Sequence, residues 1–233
     1  MKRQDVLDRI ASDSLQLTIG TLTTEDQAEA ATILKDGKIN LLHVDIMDGK
    51  VWPKTTVGPD FVAKLDTELV KDVHLLVEKP EEQIASFAEA GAGSISFSVE
   101  YTDDIGGVLS LIEEKGAQIL RGVSLNPSTS LDVIKPYLDQ IDFVVLLTIG
   151  PDSAKQTYFN LLPEKIEKLR AWKPELRIVV DGAIKKENVG EVAAMGPDWI
   201  ATGSAVFDGV NPAENITFMK SAMEDALKAK KNA

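Results

Sequence analysis

Two histidines and two aspartates at the ends of apolar, strand-like runs are the residues of this chain best suited to chemistry. His43 and His74 are the only histidines among its 233 residues, and each lies beside an aspartate in such a run. A third run of the same kind ends in Asp181. Imidazole nitrogens and carboxylate oxygens suit Zn²⁺, Mn²⁺ or Fe²⁺, and carboxylates also transfer protons. The pattern predicts a divalent-metal site of His43, Asp45, His74 and Asp181.

The elements that must position these residues alternate along the chain. Strands are predicted near 15–20, 40–46, 70–77, 94–99, 118–125, 141–148, 176–181 and 198–202. Helical patterns are predicted near 24–36, 58–66, 80–91, 104–116, 129–138, 160–171, 185–195 and 212–230. Strands that alternate with helices favour a parallel sheet. Eight such pairs close the (β/α)₈ TIM barrel, so the fold class predicted is α/β with this barrel.

In a parallel barrel the candidate ligands converge. His43 and Asp45 are two residues apart on one strand, so their side chains point to the same face. They lie at the C-terminal end of their strand, as do His74 and Asp181 at the ends of two others, and those ends form the catalytic face of a barrel. The alternative is that each histidine is a hydrogen-bonded core residue and each aspartate caps a helix or turn.

Length, charge and composition limit the class of protein. One domain over residues 1–233 is expected, because α/β barrels reach this size. A net charge of −12 argues against nucleic acid as a partner. No apolar run of about 18 residues is present, so no membrane span is expected, and no signal-like stretch follows the N-terminus. Cysteine is absent, which removes disulfides and thiolate ligands. A cytoplasmic protein is expected.

Five ordered motifs resemble those of the ribulose-phosphate 3-epimerase family, over about residues 15 to 210. The first reads His-Val-Asp-Ile-Met-Asp-Gly, and the second reads Asp-Val-His-Leu-Leu-Val. The motifs lie at 43–49 with Pro53, 72–77 with Pro80, 125–129, 180–182 and 203–207.

The resemblance implies a specific chemistry. Family members are ribulose-phosphate-binding barrels that hold one divalent metal with two histidines and two aspartates, which map onto His43, Asp45, His74 and Asp181. Zn²⁺ is the metal expected, with Mn²⁺ and Fe²⁺ as alternatives. Asp45 and Asp181 are then the acid-base pair of an isomerase, a 3-epimerase that inverts a carbon of a ketose phosphate through an enediolate. A small-molecule sugar phosphate and further copies of the chain are the partners implied.

The resemblance also maps a substrate-binding set, in which the chain departs from the family. The set is Gly20, Met47, Ser98, Asp152, Ser153, Ala154, Lys155, Gly182, Ala183, Gly203 and Ser204. The family's loop after strand six reads like Asn-Pro-Gly-Phe-Gly-Gly-Gln, whereas here it reads Gly-Pro-Asp-Ser-Ala-Lys-Gln at 150–156. The glycines that let backbone amides approach a phosphate are gone, and Asp152 adds a repulsive charge. These changes favour the phosphate of another pentulose, a tetrulose or a hexulose as the substrate, with ribulose 5-phosphate as the alternative.

Two other functions compete with epimerisation. A lyase of the same barrel superfamily, a decarboxylase or an aldolase, would share the enediolate. The related decarboxylases carry an Asp-x-Lys-x-x-Asp pattern, and the chain has Met47 where that lysine would fall. A catalytically silent sugar-phosphate-binding protein need not keep both aspartates, so the complete set disfavours it.

Overall fold

Eight parallel strands close into one barrel in chain order. The computed structural model describes residues 3–10, 15–20, 27–151 and 156–231. Each strand pairs with the next in parallel, and the eighth pairs with the first. The strands are β1 Gln16–Gly20, β2 Leu41–Met47, β3 Val70–Leu76, β4 Ser94–Ser98, β5 Leu120–Leu125, β6 Phe143–Leu147, β7 Arg177–Asp181 and β8 Trp199–Thr202. The predicted (β/α)₈ barrel is confirmed.

The α-helices agree with the sequence prediction except at two places. The α-helices are α1 Arg3–Ile10, α2 Gln27–Asp36, α3 Pro59–Lys64, α4 Ile84–Glu89, α5 Ile105–Lys115, α6 Leu162–Trp172, α7 Val189–Met195 and α8 Pro212–Lys231. The α-helix predicted near 129–138 was wrong: this segment forms two 3₁₀ helices, Leu131–Val133 and Lys135–Gln140. Pro136 explains the difference, because proline lacks the N–H and clashes with the preceding turn of an α-helix. No helix of the described chain is long and apolar enough to cross a membrane.

The second exception is α1, which the sequence did not predict. Val6 and Ile10 of α1 are both 1% exposed. They belong to the same buried cluster as Leu41, Phe143 and Trp199, which begin β2, β6 and β8. Helix α1 therefore packs against the N-terminal ends of the strands, and the opposite end of the barrel remains for a site.

Polar residues of β2, β3 and β4 form two rows across the sheet. Side chains on a strand alternate between its faces, so residues in register on neighbouring strands share a face. One row is His43, Asp72 and Ser94; the row one step nearer the C-terminal ends is Asp45, His74 and Ser96. The register therefore brings both histidines together with two aspartates on the same face.

We expect Gly122→Ala to destabilise the protein by about 1–3 kcal/mol, because overpacking forces strain on a filled core. A Cβ on Gly122 would overlap the ring of Phe143, which is 1% exposed and packs on Trp199. Gly190→Ala in α7 is the control, since its added Cβ meets nothing nearer than 3.5 Å. Urea unfolding measures both variants. An unchanged midpoint for Gly122→Ala would contradict the packing described.

Candidate metal centre and active-site cleft

A cleft of about 230 Å³ opens at the C-terminal ends of the strands. It is large enough for a small phosphorylated molecule and combines apolar walls with a few polar groups, as ligand sites usually do. Its lining comprises Gly20, His43, Asp45, Met47, Trp52, Lys54, Thr56, Leu76, Leu147, Ile149, Asp181, Gly182, Ala183, Ile184, Ala201, Thr202, Gly203 and Ser204.

The two histidines and two aspartates meet at this cleft. One ligand atom from each of His43, Asp45, His74 and Asp181 lies within 4.8 Å of the others. Asp45 Oδ1 is 3.1 Å from His43 Nε2 and 3.2 Å from His74 Nδ1. Asp181 Oδ2 is 3.4 Å from His74 Nδ1 and 3.8 Å from His43 Nε2. The convergence expected from the strand ends is therefore present.

These separations fit a four-coordinate ion. Ligand atoms about 2.0–2.2 Å from a Zn²⁺ in a tetrahedron would lie about 3.4 Å from one another. The four His–Asp separations, 3.1, 3.2, 3.4 and 3.8 Å, bracket that value. Two nitrogen and two oxygen donors also suit Mn²⁺ and Fe²⁺. The four side chains could therefore hold a divalent ion.

The charges of the cluster attract positive charge. Burial alone would lower the pKa of His43, but the charge of Asp45 and hydrogen bonds with Asp45 and Asp72 outweigh it and raise that pKa well above its ordinary value. Burial likewise lowers the pKa of His74, but hydrogen bonds to Asp181 and Asp45 raise it overall. Burial would raise the pKa of Asp45, yet the two imidazoles hold it well below the usual range. Protons and a metal cation therefore compete for the same nitrogen and oxygen atoms.

The two imidazoles differ in what lies behind them. His43 Nδ1 is 2.7 Å from Asp72 Oδ2, so its Nε2 is the atom that faces the cluster. His74 faces the cluster through Nδ1, and its Nε2 is buried with no hydrogen-bond partner among the described residues. Asp72 belongs to the second sequence motif, but the sequence did not predict a role for it. Its position two residues before His74 on the same strand was the available signal.

The loop after β2 fixes Asp45 and covers one side of the cleft. Thr56 Oγ1 donates to the carbonyl oxygen of Asp45 at 2.6 Å and accepts from the amide of Met47 at 2.9 Å. Asp48 accepts from the backbone amides of Lys50 and Glu78, at 2.9 and 3.0 Å. These bonds tie the loops after β2 and β3 together, and so hold the loop that contributes Trp52 and Lys54 over the cleft.

The predicted substrate-binding residues fall into three groups. Six line the cleft: Gly20, Met47, Gly182, Ala183, Gly203 and Ser204. Ser98 is instead 1% exposed, and its hydroxyl lies 3.2 Å from that of Ser124. Asp152, Ser153, Ala154 and Lys155 lie outside the described residues, so their role stays a prediction.

Two lysines at or beside the cleft were not among the predicted substrate-binding residues. Lys54 lines the cleft directly. Lys185, four residues beyond β7, donates from Nζ to Ser204 Oγ at 2.5 Å. Both are cations at the rim of a cleft in a chain of net charge −12. Only the fold brings the loop after β7 to the loop after β8, so no local pattern identified Lys185.

The C-terminal end of β1 and the loops after β7 and β8 approach one another closely at the cleft. A Cβ on Gly203 would lie 3.1 Å from the carbonyl oxygen of Gly20. Gly182 has a φ of 110°, and Ala183 follows with a φ of 51°. Left-handed backbone at a non-glycine residue costs on the order of 1 kcal/mol and is concentrated at functional sites. Ala183 lines the cleft, so its left-handed backbone lowers the stability of the protein at this wall.

Known proteins with this sequence pattern identify the family. The model of the ribulose-phosphate 3 epimerase family matches residues 16–207. The ribulose-phosphate 3-epimerase of Candida glabrata is 33% identical over 207 residues, which cover 81% of this chain and 83% of the relative. That of Bacillus subtilis is 34% identical over 197 residues, 80% of this chain and 90% of the relative. The chain belongs to the ribulose-phosphate 3-epimerase family. It is a carbohydrate epimerase, an enzyme of the isomerase class.

A more distant solved structure shares the fold alone. The 3-keto-L-gulonate-6-phosphate decarboxylase of Vibrio cholerae superposes with a TM-score of 0.66 at 12% identity. The superposition covers 91% of this chain and 99% of that one. At this identity the likeness shows the barrel but carries no chemistry across. The family assignment therefore rests on the sequence relatives.

We expect the protein to bind one divalent ion, and His74→Ala to lose it, because a buried ligand is removed from a four-residue set. Elemental analysis after dialysis against Zn²⁺ measures the metal content of both proteins. Glu89→Gln, at an exposed carboxylate of α4, controls for loose binding to the acidic surface. Equal metal content in wild type and His74→Ala would contradict the site.

Proposed function

We propose that the protein is a metal-dependent 3-epimerase of a ketose phosphate, either ribulose 5-phosphate or a related pentulose, tetrulose or hexulose phosphate. One observation carries the proposal. Two carboxylates from different strands, Asp45 of β2 and Asp181 of β7, face one small cleft and share two imidazoles. Inverting a carbon beside a ketone needs a proton removed from one face and a proton supplied to the other, and two separate carboxylates meet that need.

The metal in this proposal is held by His43, Asp45, His74 and Asp181, and Zn²⁺ is the ion proposed, with Mn²⁺ and Fe²⁺ as alternatives. When bound, such an ion supplies Lewis-acid stabilisation of the negative charge that develops on the substrate's oxygens. The carboxylates gain a fixed orientation from the same set of contacts. The hydrogen bond of Thr56 to the backbone of Asp45 supports that orientation.

Proton transfer is assigned to the two aspartates. One carboxylate takes the proton from the carbon beside the ketone and becomes a carboxylic acid, which leaves an enediolate. The other aspartate, protonated beforehand, gives its proton to the opposite face of that carbon. The two aspartates have then exchanged protonation states, so the enzyme is ready to act on the opposite epimer. The cleft walls, which include Met47, Leu76 and Leu147, limit the access of water to the enediolate.

The phosphate is proposed to lie at the side of the cleft formed by the loops after β7 and β8. Gly182, Ala183, Gly203 and Ser204 line that side, and Lys185 contacts Ser204. An ammonium group there supplies the positive charge that the substrate's dianion needs. Because the glycines of the family's loop after strand six are absent here, Lys185 carries a larger share of phosphate binding in this proposal.

Asp45→Asn and Asp181→Asn are each expected to lower epimerisation at least about 10³-fold, since each amide removes the acid-base group of one face. Incubation of ketose phosphates of four to six carbons in D₂O, followed by NMR, measures both inversion and deuterium uptake. One variant should still exchange the proton of a single epimer. Near-wild-type turnover in either variant would exclude that aspartate as an acid-base group.

The same incubation separates the competing functions. An epimerase exchanges a carbon-bound proton with no cleavage of a carbon-carbon bond, a lyase cleaves, and a silent binding protein does neither. Asp60→Asn, at an exposed aspartate of α3, is the control and should retain full activity.

Lys185→Ala is expected to raise the KM for the preferred ketose phosphate about 10-fold, with kcat little changed, because it removes a charge that binds substrate and transition state alike. Lys186→Ala is the matched control, since the neighbouring lysine pairs with Asp208 at 2.9 Å, whereas Lys185 contacts Ser204 of the cleft wall. Steady-state kinetics measure both variants. An unchanged KM in Lys185→Ala would remove this lysine from the phosphate site.

A further inference from the structure

A third carboxylate lies buried directly behind the four-residue cluster. Asp72 is 3% exposed in the middle of β3. One of its oxygens, Oδ2, is 2.7 Å from His43 Nδ1, and the other accepts a hydrogen bond from Ser94 Oγ at 2.6 Å. A carboxylate taken out of water is costly unless it is paired and hydrogen-bonded. Both oxygens of Asp72 have polar partners, which offsets the cost of its burial.

We propose that Asp72, held by Ser94, is a positioning residue that fixes the imidazole of His43 so that Nε2 faces the metal. This inference rests on the metal-dependent function proposed above. A proton on Nδ1 donated to Asp72 forces the neutral imidazole into the tautomer whose lone pair is on Nε2. That nitrogen is the one 3.1 Å from Asp45 and 3.8 Å from Asp181.

The charge of Asp72 contributes beyond geometry. A carboxylate hydrogen-bonded to a ligating imidazole makes the opposite nitrogen a stronger donor to a metal. Asp72 acts on one imidazole only, because the far nitrogen of His74 is buried and has no hydrogen-bond partner in the part of the chain that the structure describes. The two histidines are therefore unequal ligands, and the difference resides in the cross-strand row of His43, Asp72 and Ser94.

The competing explanation is that Asp72 only stabilises the barrel, and four variants separate the two. Asp72→Asn keeps a hydrogen-bond acceptor and the shape but removes the charge, whereas Asp72→Ala removes both. Ser94→Ala removes the hydroxyl that holds Asp72. Ser96→Ala is the matched control: Ser96 lies two residues further on the same strand and is 0% exposed like Ser94, and no residue that the structure describes hydrogen-bonds its hydroxyl.

The first measurement is the Zn²⁺ dissociation constant by competition with a chromophoric chelator. We expect Asp72→Ala to weaken binding about 10- to 100-fold, with Asp72→Asn between it and wild type. Ser94→Ala should weaken binding several-fold, and Ser96→Ala should match wild type. The stability of the metal-free proteins is measured in parallel by urea unfolding. If Asp72 has a purely structural role, the variants lose stability but do not show this order of zinc affinities. If Asp72→Ala does not fold, Asp72→Asn and Ser94→Ala carry the test.

The second measurement exploits the presence of only two histidines. In protein labelled with ¹⁵N at histidine, the zinc-bound wild type should show His43 protonated at Nδ1, with slow exchange of that proton with water. His74→Asn, which leaves a single imidazole, assigns the signals. In Asp72→Ala the protonated nitrogen should exchange rapidly.

Two results would overturn the inference. One is equal loss of zinc affinity in Ser94→Ala and Ser96→Ala, and the other is wild-type affinity in both Asp72 variants. If the variants bind zinc in the expected order but the wild-type protein epimerises no ketose phosphate, only the proposed function is overturned. Wild-type protein that binds no zinc would overturn both.

Discussion

The constraint on which the rest of the structure depends is the crowding of two carboxylates and two imidazoles at one mostly buried position. Their ligand atoms lie within 4.8 Å of one another. Like charges so close, with little water to screen them, repel strongly. The two aspartates raise the pKa values of both imidazoles, so positive charge at this position is favoured. The fold must also keep the four groups from moving apart.

The closed barrel supplies that restraint. Asp45 and His74 are in register across β2 and β3, so their separation is set by the strand ladder and not by a flexible loop. Asp72 lies in the adjoining row and holds His43 from behind. Helix α1 closes the other end of the barrel with Val6 and Ile10. The cluster is thus supported by paired strands and not by loops, which favours precise placement of its side chains.

Chemistry and specificity are divided between different parts of this framework. The residues proposed to bind metal and transfer protons are on strands β2, β3 and β7, whereas the opposite wall of the cleft includes Gly20 at the end of β1 and residues of the loops after β7 and β8. Loops change sequence more freely than strands do. The chain accordingly retains all four ligand residues while it departs from the family in the loop at 150–156. A change of ketose phosphate is therefore compatible with an unchanged reaction, and Lys185 beside Ser204 is a cation available for the altered phosphate end.

The sequence by itself determined the eight strands, their closure and the four-residue cluster. Apolar runs report burial on both faces, and the two-residue period puts His43 and Asp45 on one side of β2. It did not predict α1, the 3₁₀ segments around Pro136, or the burial of Ser98 against Ser124. The tertiary structure decided the contact of Asp72 with His43, 29 residues apart, and that of Lys185 with Ser204, 19 apart. The reason is physical: local periodicity fixes which face a side chain takes, whereas the strand register and the meeting of loops fix which side chain it touches.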